Sequence, residues 1–341
     1  MNELYRPDDT RDALRKIGGI LIGLAALMIY VRKGPLFSVN QHQWAEFPML
    51  LVLAAPAVYL YGGAVMTRPA TGELRVWQVV HSTFGLIFVP FALLQFVDVI
   101  GGTPTASLNL FWVFGFTAAL AFYTGAELGV RVQLLLGSIA AIVGWTALWN
   151  KLLSDGISHH YGVYRGLLGI LAIGLLAGAL YLWRTNPGGE ERASSVLGPT
   201  GDPGLWKASE LLTGAGIAAV LACALGITAV ANLNPLAQSP VSPIGTSSFW
   251  DVLLLLVSIG LVALGSTLGV RGPVYIGAIG LFFFLLIVGL DLNSEHPNPF
   301  KLGGWPWILL LLGLGAIGLS FVRSASLGDQ PRRFTENVRG R

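Results

Sequence analysis

The chain is a series of long apolar runs separated by short polar segments. Because the hydrocarbon core of a bilayer is roughly 30 Å thick, a helix needs about 20 apolar residues to cross it. The pattern therefore predicts an all-α fold class, a polytopic transmembrane helical bundle of about ten spans. The predicted spans are 17–31, 47–66, 76–97, 107–126, 132–150, 166–183, 211–231, 252–270, 273–290 and 302–322.

The composition supports a membrane protein and limits the classes of partner that it could bind. Only 11% of the residues are charged, whereas an average soluble domain carries roughly 25%. A chain this poor in charge could not cover a soluble surface of its size. No basic stripe is present, so nucleic acid is not expected as a partner. The expected partners are the lipid bilayer and other membrane subunits.

The basic residues predict the orientation. Most of the 21 Lys and Arg residues fall on the side of the bundle that holds both termini. The opposite side has only Arg32, Lys33, Lys151, Arg165 and Lys301. Since Lys and Arg accumulate in cytoplasmic loops, both termini are expected in the cytoplasm, with the protein in the plasma membrane.

A short motif occurs twice and predicts an internal repeat. Residues 128–131, Leu-Gly-Val-Arg, recur at 268–271, an offset of 140 residues, and Gly125 and Gly137 match Gly265 and Gly277 in the same register. Two like-oriented four-helix units, a parallel duplication, would explain this match; chance similarity between apolar segments is the alternative. The predicted organisation is an N-terminal segment and two-helix hairpin (1–75), a first four-helix unit (76–184), a cytoplasmic linker (185–207), a second four-helix unit (208–323) and a basic cytoplasmic tail (324–341).

Catalytic chemistry has little support in the sequence. The single cysteine, Cys223, excludes a disulfide within the chain. The metalloprotease, P-loop and nucleophile-elbow motifs are missing, so no catalytic residue and no cofactor-binding residue is predicted. No ionisable residue lies near the middle of a predicted span, where such residues usually have a function. His81, about one turn into the third span, is interpreted as an interfacial histidine that bonds to a neighbouring helix.

One group of side chains on the predicted outer side could bind a divalent metal. His159 and His160 follow the fifth span, and Glu295 and His296 occupy the corresponding place after the ninth. Neutral imidazole together with carboxylate suits zinc or a similar ion. The alternative is that these are solvated loop residues that never meet. No other cofactor is indicated.

The sequence favours no single function decisively. A membrane scaffold, or a subunit of a membrane assembly, agrees best with the many glycines, the short loops and the lack of buried charge. A transporter of a small or lipidic solute is the alternative, because many transporters contain repeats. A membrane enzyme with an outward-facing site is a weaker alternative, and an enzyme is the less favoured outcome.

Overall fold

A computed structural model describes residues 7–33, 45–67, 76–153, 161–185, 203–225 and 248–292. The chain divides into two units, Met1–Leu281 and Phe282–Arg341, and the structure describes the second only as far as residue 292. The regular elements of the described residues are helical. They are α1 (Pro7–Lys33), α2 (Glu46–Pro56), a π-helical segment (Ala57–Gly62), α3 (Gly63–Met66), α4 (Val76–Val99), α5 (Ser107–Glu127), α6 (Arg131–Leu152), α7 (Tyr161–Thr185), α8 (Pro203–Ala224), α9 (Ser248–Leu268) and α10 (Arg271–Leu292).

The helices agree with the predicted class of a membrane bundle. Eight of them, counting Glu46–Met66 as one, are long and apolar enough to cross a membrane. The described apolar part of α10, Arg271–Leu285, is shorter. The tenth predicted span, 302–322, lies outside the described residues, so the number of spans stays a prediction.

Three helices begin at least five residues earlier than hydropathy alone predicts. Helix α1 starts at Pro7 rather than at 17. Helix α7 starts at Tyr161 rather than at 166, and α8 starts at Pro203 rather than at 211. Proline suits the first position of a helix because its missing N–H would have no partner there. The extensions matter because they place Arg165 and Lys207 on helices instead of in loops.

The second predicted span contains a change of helix type. Pro56 ends α2, and the π-helical segment follows it directly. Proline has no N–H to donate to the preceding turn, and π-helical turns within α-helices often lie at functional sites. Here the segment presents Tyr61, whose backbone lies so close to Gly85 of α4 that a Cβ at Gly85 has no room.

The N-terminal helices pack on α4. Their apolar contact consists of Ala26, Tyr30, Met49, Leu53, Ala57, Phe88 and Ala92. The amide of Gln78, which is buried, donates to the carbonyl oxygen of Thr67 at 2.9 Å and thereby connects α4 with the end of α3. The described part of the N-terminal region is therefore integrated into the bundle.

Two helical hairpins, α5/α6 and α9/α10, have the same turn geometry and matching glycine contacts. The turn glycines Gly129 and Gly269 have φ of 69° and 68°. A Cβ built on Gly125 would lie 2.7 Å from Leu134, and one built on Gly265 would lie 2.7 Å from Val274. The same match relates Gly137, 2.8 Å from Phe122, to Gly277, 2.8 Å from Val262. Every pair keeps the offset of 140 residues.

Helix α8 joins the two hairpins. Gly214 lies against Ser138 of α6, and Gly272 of α10 lies against Thr213, leaving no room for a Cβ at either glycine. Because α6, α8 and α10 start at the same end, that end is named the Gly129 end. The opposite end, where the chain turns between α4 and α5 at Gly101, is named the Gly101 end.

Candidate functional site

The predicted metal site cannot be assessed from the described residues. His159, His160, Glu295 and His296 all lie outside them. Among the residues that are described, no group of three His, Cys, Asp or Glu side chains is arranged to hold a metal ion. The metal site therefore stays a prediction.

The predicted bond of His81 to a neighbouring helix is present in the structure, while its place at a membrane interface stays a prediction. Its Nε2 lies 2.7 Å from the carbonyl oxygen of Arg15 on α1, and the ring rests on Gly19. Trp77, one turn earlier, packs edge-on against the imidazole with the ring centroids 5.2 Å apart. The Arg15 guanidinium lies 5.0 Å from the centre of the Trp77 ring. His81 thus attaches α1 to α4.

At the Gly101 end, a buried arginine connects three helices. Arg165 of α7 is only 8% exposed, and its Nε donates a hydrogen bond of 2.6 Å to the carbonyl oxygen of Leu225, directly after α8. Its guanidinium carbon lies 4.6 Å from the centre of the Trp250 ring on α9, and it is attracted by the carboxylate of Asp251. These residues are named the Arg165 clamp. A cation there also interacts favourably with the carbonyl end of α8.

A row of neutral hydrogen bonds extends from this clamp across the same end. The amide nitrogen of Asn150 donates to Ser107 Oγ at 2.8 Å, and the Tyr164 hydroxyl donates to Asn150 Oδ1 at 3.4 Å. Trp145 Nε1 donates to the carbonyl oxygen of Leu167 at 2.9 Å. These bonds connect the ends of α5, α6 and α7.

At the Gly129 end, a lysine of α8 makes a comparable bond to the carbonyl end of α5. Lys207 Nζ of α8 donates to the carbonyl oxygen of Ala126, near the end of α5, at 2.8 Å. Arg131 of α6 and Glu210 of α8 attract each other at the same end. These residues are named the Lys207 clamp. Both clamps place a cation of one helix on the carbonyl end of another.

Between the clamps, the contact of α6 and α7 with α8 is mainly apolar and closely packed, with Ser138 of α6 against Gly214 as a polar residue within it. One cluster consists of Leu134, Leu175, Ala179, Ala208, Leu211, Leu212 and Ala215, and the next of Ile142, Leu168, Ala172, Ala218 and Ala222. Half of these residues are alanine, whose small side chain lets helix backbones approach closely in a bilayer. This contact is named the seam. The seam thus has polar contacts at both ends and mostly apolar side chains between them.

The opposite face of α7 has a different character. Gly162, Gly166 and Gly169 lie on it, and a Cβ built on any of them meets nothing within 4 Å. Ile170 and Ile173 continue this face and are 60% and 68% exposed. The glycines therefore serve no close contact with the described part of the bundle, unlike those of the hairpins.

Gln133, in the first turn of α6, differs from the other residues that have a buried polar atom without a partner, such as Thr83, because both of its side-chain polar atoms are unpaired. The side chain has no exposed surface, and neither Nε2 nor Oε1 has a hydrogen-bond partner. By contrast, the buried amides of Gln78 and Gln95 both donate hydrogen bonds.

Sequence reasoning missed the clamps and Gln133. The apolar pattern places Arg165 among the loop cations and Lys207 at the end of the predicted linker 185–207. A signal existed for Arg165, since continuing the apolar helical pattern back past Gly166 brings it onto α7. No local pattern marks Gln133 as unpaired.

Known proteins offer no further guide to the function of these groups. Comparison gives no matching family model, no similar curated protein and no similar solved structure.

Proposed function

We propose that this chain is a scaffold in a membrane, a subunit that binds a transmembrane helix of another protein. The exposed face of α7 is the observation that carries the proposal. Gly162 and Gly166 form a Gly-x-x-x-Gly pair, the spacing that lets two membrane helices approach closely. Glycine in a helix costs roughly 1 kcal/mol relative to alanine, and the described bundle offers no packing contact in return.

The proposed orientation follows the distribution of basic residues. The Gly129 end would face the cytoplasm, with ten spans, both termini inside and the plasma membrane as the location. Single cysteines introduced in a Cys223→Ala background test this. Cysteines at Ser158 and Thr246 should react with an impermeant reagent on intact cells, and cysteines at Ala70 and Ser195 should not. The reverse labelling would contradict the orientation.

We also propose that the two hairpins belong to duplicated four-helix units. The support is the shared turn geometry and the matched glycine contacts at one offset. The α8 helix then begins the second unit and packs on the first. A scaffold gains rigidity from this arrangement, because the two clamps and the seam hold the units together.

The mainly apolar seam argues for a scaffold over a carrier of polar solutes. A carrier of polar solutes needs polar groups along its path, and the seam is lined mainly by leucine and alanine between its clamps. An enzyme with an outward-facing site would need the predicted histidines and carboxylates to converge, and those residues lie outside the described ranges.

The scaffold proposal is tested by placing a large side chain on the exposed glycine face of α7. Gly166→Leu should abolish the co-purification of partner subunits in mild detergent and reduce the mass of the native complex, because the added side chain separates the helices. Gly260→Leu is the matched control, since Gly260 of α9 is exposed and equally open. If Gly166→Leu leaves the mass of the complex unchanged, or the wild-type protein is a lone monomer in gentle detergents and nanodiscs, the proposal is wrong.

A further inference from the structure

Gln133 has the chemistry of a binding site inside the helical bundle. A primary amide offers two donors and a carbonyl oxygen with two lone pairs. Leaving a buried donor or acceptor unpaired costs about 1–3 kcal/mol, and nearly all buried polar groups in folded proteins have a partner, in the protein or in ordered water. An amide with no exposed surface and no protein partner at either atom therefore points to a small bound molecule.

The hairpin contacts locate this amide. Gly125 of α5 lies beside Leu134, and Gly137 lies beside Ala121 and Phe122. Gln133 is one turn from Gly137 toward the Gly129 end, and so it stands on α6 at the level of the last turn of α5.

Thr124, a second polar residue of the first hairpin, lies at the same level. Thr124 Oγ1 donates to the carbonyl oxygen of Leu120 at 2.8 Å and accepts a hydrogen bond of 3.4 Å from the Tyr61 hydroxyl. Thr124 is almost fully buried, with 1% of its surface exposed. The interior of this end is therefore polar on the last turn of α5 as well as on α6.

The second hairpin shows that its fold does not require this amide. The position equivalent to Gln133 is Pro273, and the position equivalent to Thr124 is Leu264. Both hairpins nevertheless form the same turn and the same glycine contacts. The polar pair is thus a property of the first hairpin alone, added to a shared backbone arrangement.

We propose that Gln133 binds an ordered water molecule at the Gly129 end of the first hairpin. Water is the smallest molecule that donates and accepts at once, so it can serve both atoms of the amide. Buried waters typically make about three hydrogen bonds to otherwise unpaired polar groups, and holding one costs roughly 0–2 kcal/mol. Ordered water also satisfies freed polar groups in membrane helices.

Radiolytic labelling in water enriched in oxygen-18 tests the site, because hydroxyl radicals formed from a bound water oxidise adjacent side chains. Leu134, the residue that follows Gln133 in the chain and packs against Gly125, should incorporate the label in the full-length wild-type protein, although it is 1% exposed. Leu254 of α9, which has no exposed surface, is the internal control and should not. Equal labelling of the two leucines would overturn the proposal, and this comparison needs no variant.

Variants then connect the water with the amide. Gln133→Met, which has nearly the same shape, should abolish the labelling of Leu134. Thr117→Val is the control, since that hydroxyl donates only within its own helix, to the carbonyl oxygen of Val113 at 2.8 Å, and its labelling of Leu134 should equal that of the wild type. Labelling that persists in Gln133→Met would show that the amide does not hold the water.

Discussion

The hairpins α5/α6 and α9/α10 have the same backbone plan and different interiors. Both turn at a glycine with φ near 69° and both close on two matched glycine contacts. Four buried polar residues of the first hairpin have apolar equivalents in the second. The pairs are Thr117 and Val257, Thr124 and Leu264, Gln133 and Pro273, and Ser138 and Ala278.

The difference follows from what surrounds each hairpin. The first contacts α4 and α8, so its polar residues meet other helices, as Thr124 meets Tyr61 and Ser138 meets Gly214. The second also contacts α8, at Gly272 and Thr213, but Leu264, the equivalent of the buried Thr124, is 40% exposed. Glycine positions thus determine how a hairpin closes, while polar positions determine what it can attach to.

The largest expected effect is a difference in stability between alanine substitutions at one matched pair of glycines, Gly137 and Gly277. A Cβ at Gly277 would lie 2.6 Å from the carbonyl oxygen of Ser258, which is backbone, whereas at Gly137 the closest atoms belong to the Phe122 ring, which can rotate. We expect Gly277→Ala to lower the free energy of unfolding by about 1–3 kcal/mol, the usual range for overpacking. For Gly137→Ala we expect a change near zero, because alanine gains about 1 kcal/mol in helix propensity. Unfolding in mixed SDS micelles measures both, and equal losses would contradict the distinction.

The Lys207 clamp should have the next largest effect. In the first hairpin the carbonyl oxygen of Ala126 accepts from Lys207, whereas the equivalent oxygen of Ser266 accepts from the backbone N–H of Gly269 at 3.4 Å. Hydrogen bonds to charged groups contribute about 1.5–3 kcal/mol. Lys207→Met should therefore lower the free energy of unfolding by an amount near the lower end of that range. Lys151→Met, at an exposed lysine, is the control and should change stability by less than about 0.5 kcal/mol. An equal effect of the two substitutions in the same unfolding assay would show that the clamp is not stabilising.

The turn glycines should behave alike. Since Gly129 and Gly269 both have positive φ and open space around the Cβ position, alanine at either should cost about 1–2 kcal/mol through backbone strain alone. Asparagine tolerates this conformation better and should recover part of the loss at both turns. Melting temperatures of the four variants in detergent measure this, and a cost at only one turn would show that the two turns are not equivalent.

The smallest effect is expected at Thr117. Its hydroxyl bonds its own helix, and the second hairpin has valine at the equivalent position, so Thr117→Val should change the free energy of unfolding by less than about 0.5 kcal/mol. A large loss would show that this hydroxyl contributes to a contact between helices.

The sequence predicts the bounds of some helices more accurately than those of others. Helices α5 and α6 were predicted to within a few residues, because the glycine turn and the apolar lengths are local properties. The starts of α7 and α8 were missed, because their first turns carry Arg165 and Lys207, whose charges resemble those of loops. Hydropathy averages over a window and does not register that one cation lies against a helix end.

Apolar length by itself determined that this chain is a bundle of helices able to cross a membrane, since a helix needs about 20 apolar residues to do so. The repeated Leu-Gly-Val-Arg likewise marked two turns that proved to have the same geometry. Only the tertiary structure decided which polar side chains are satisfied. Arg165 and Lys207 find carbonyl oxygens on other helices, and Gln133 finds none among the protein atoms. The physical reason is that a hydrogen bond depends on two atoms meeting within about 3 Å, and residues far apart in the chain meet only where helices pack.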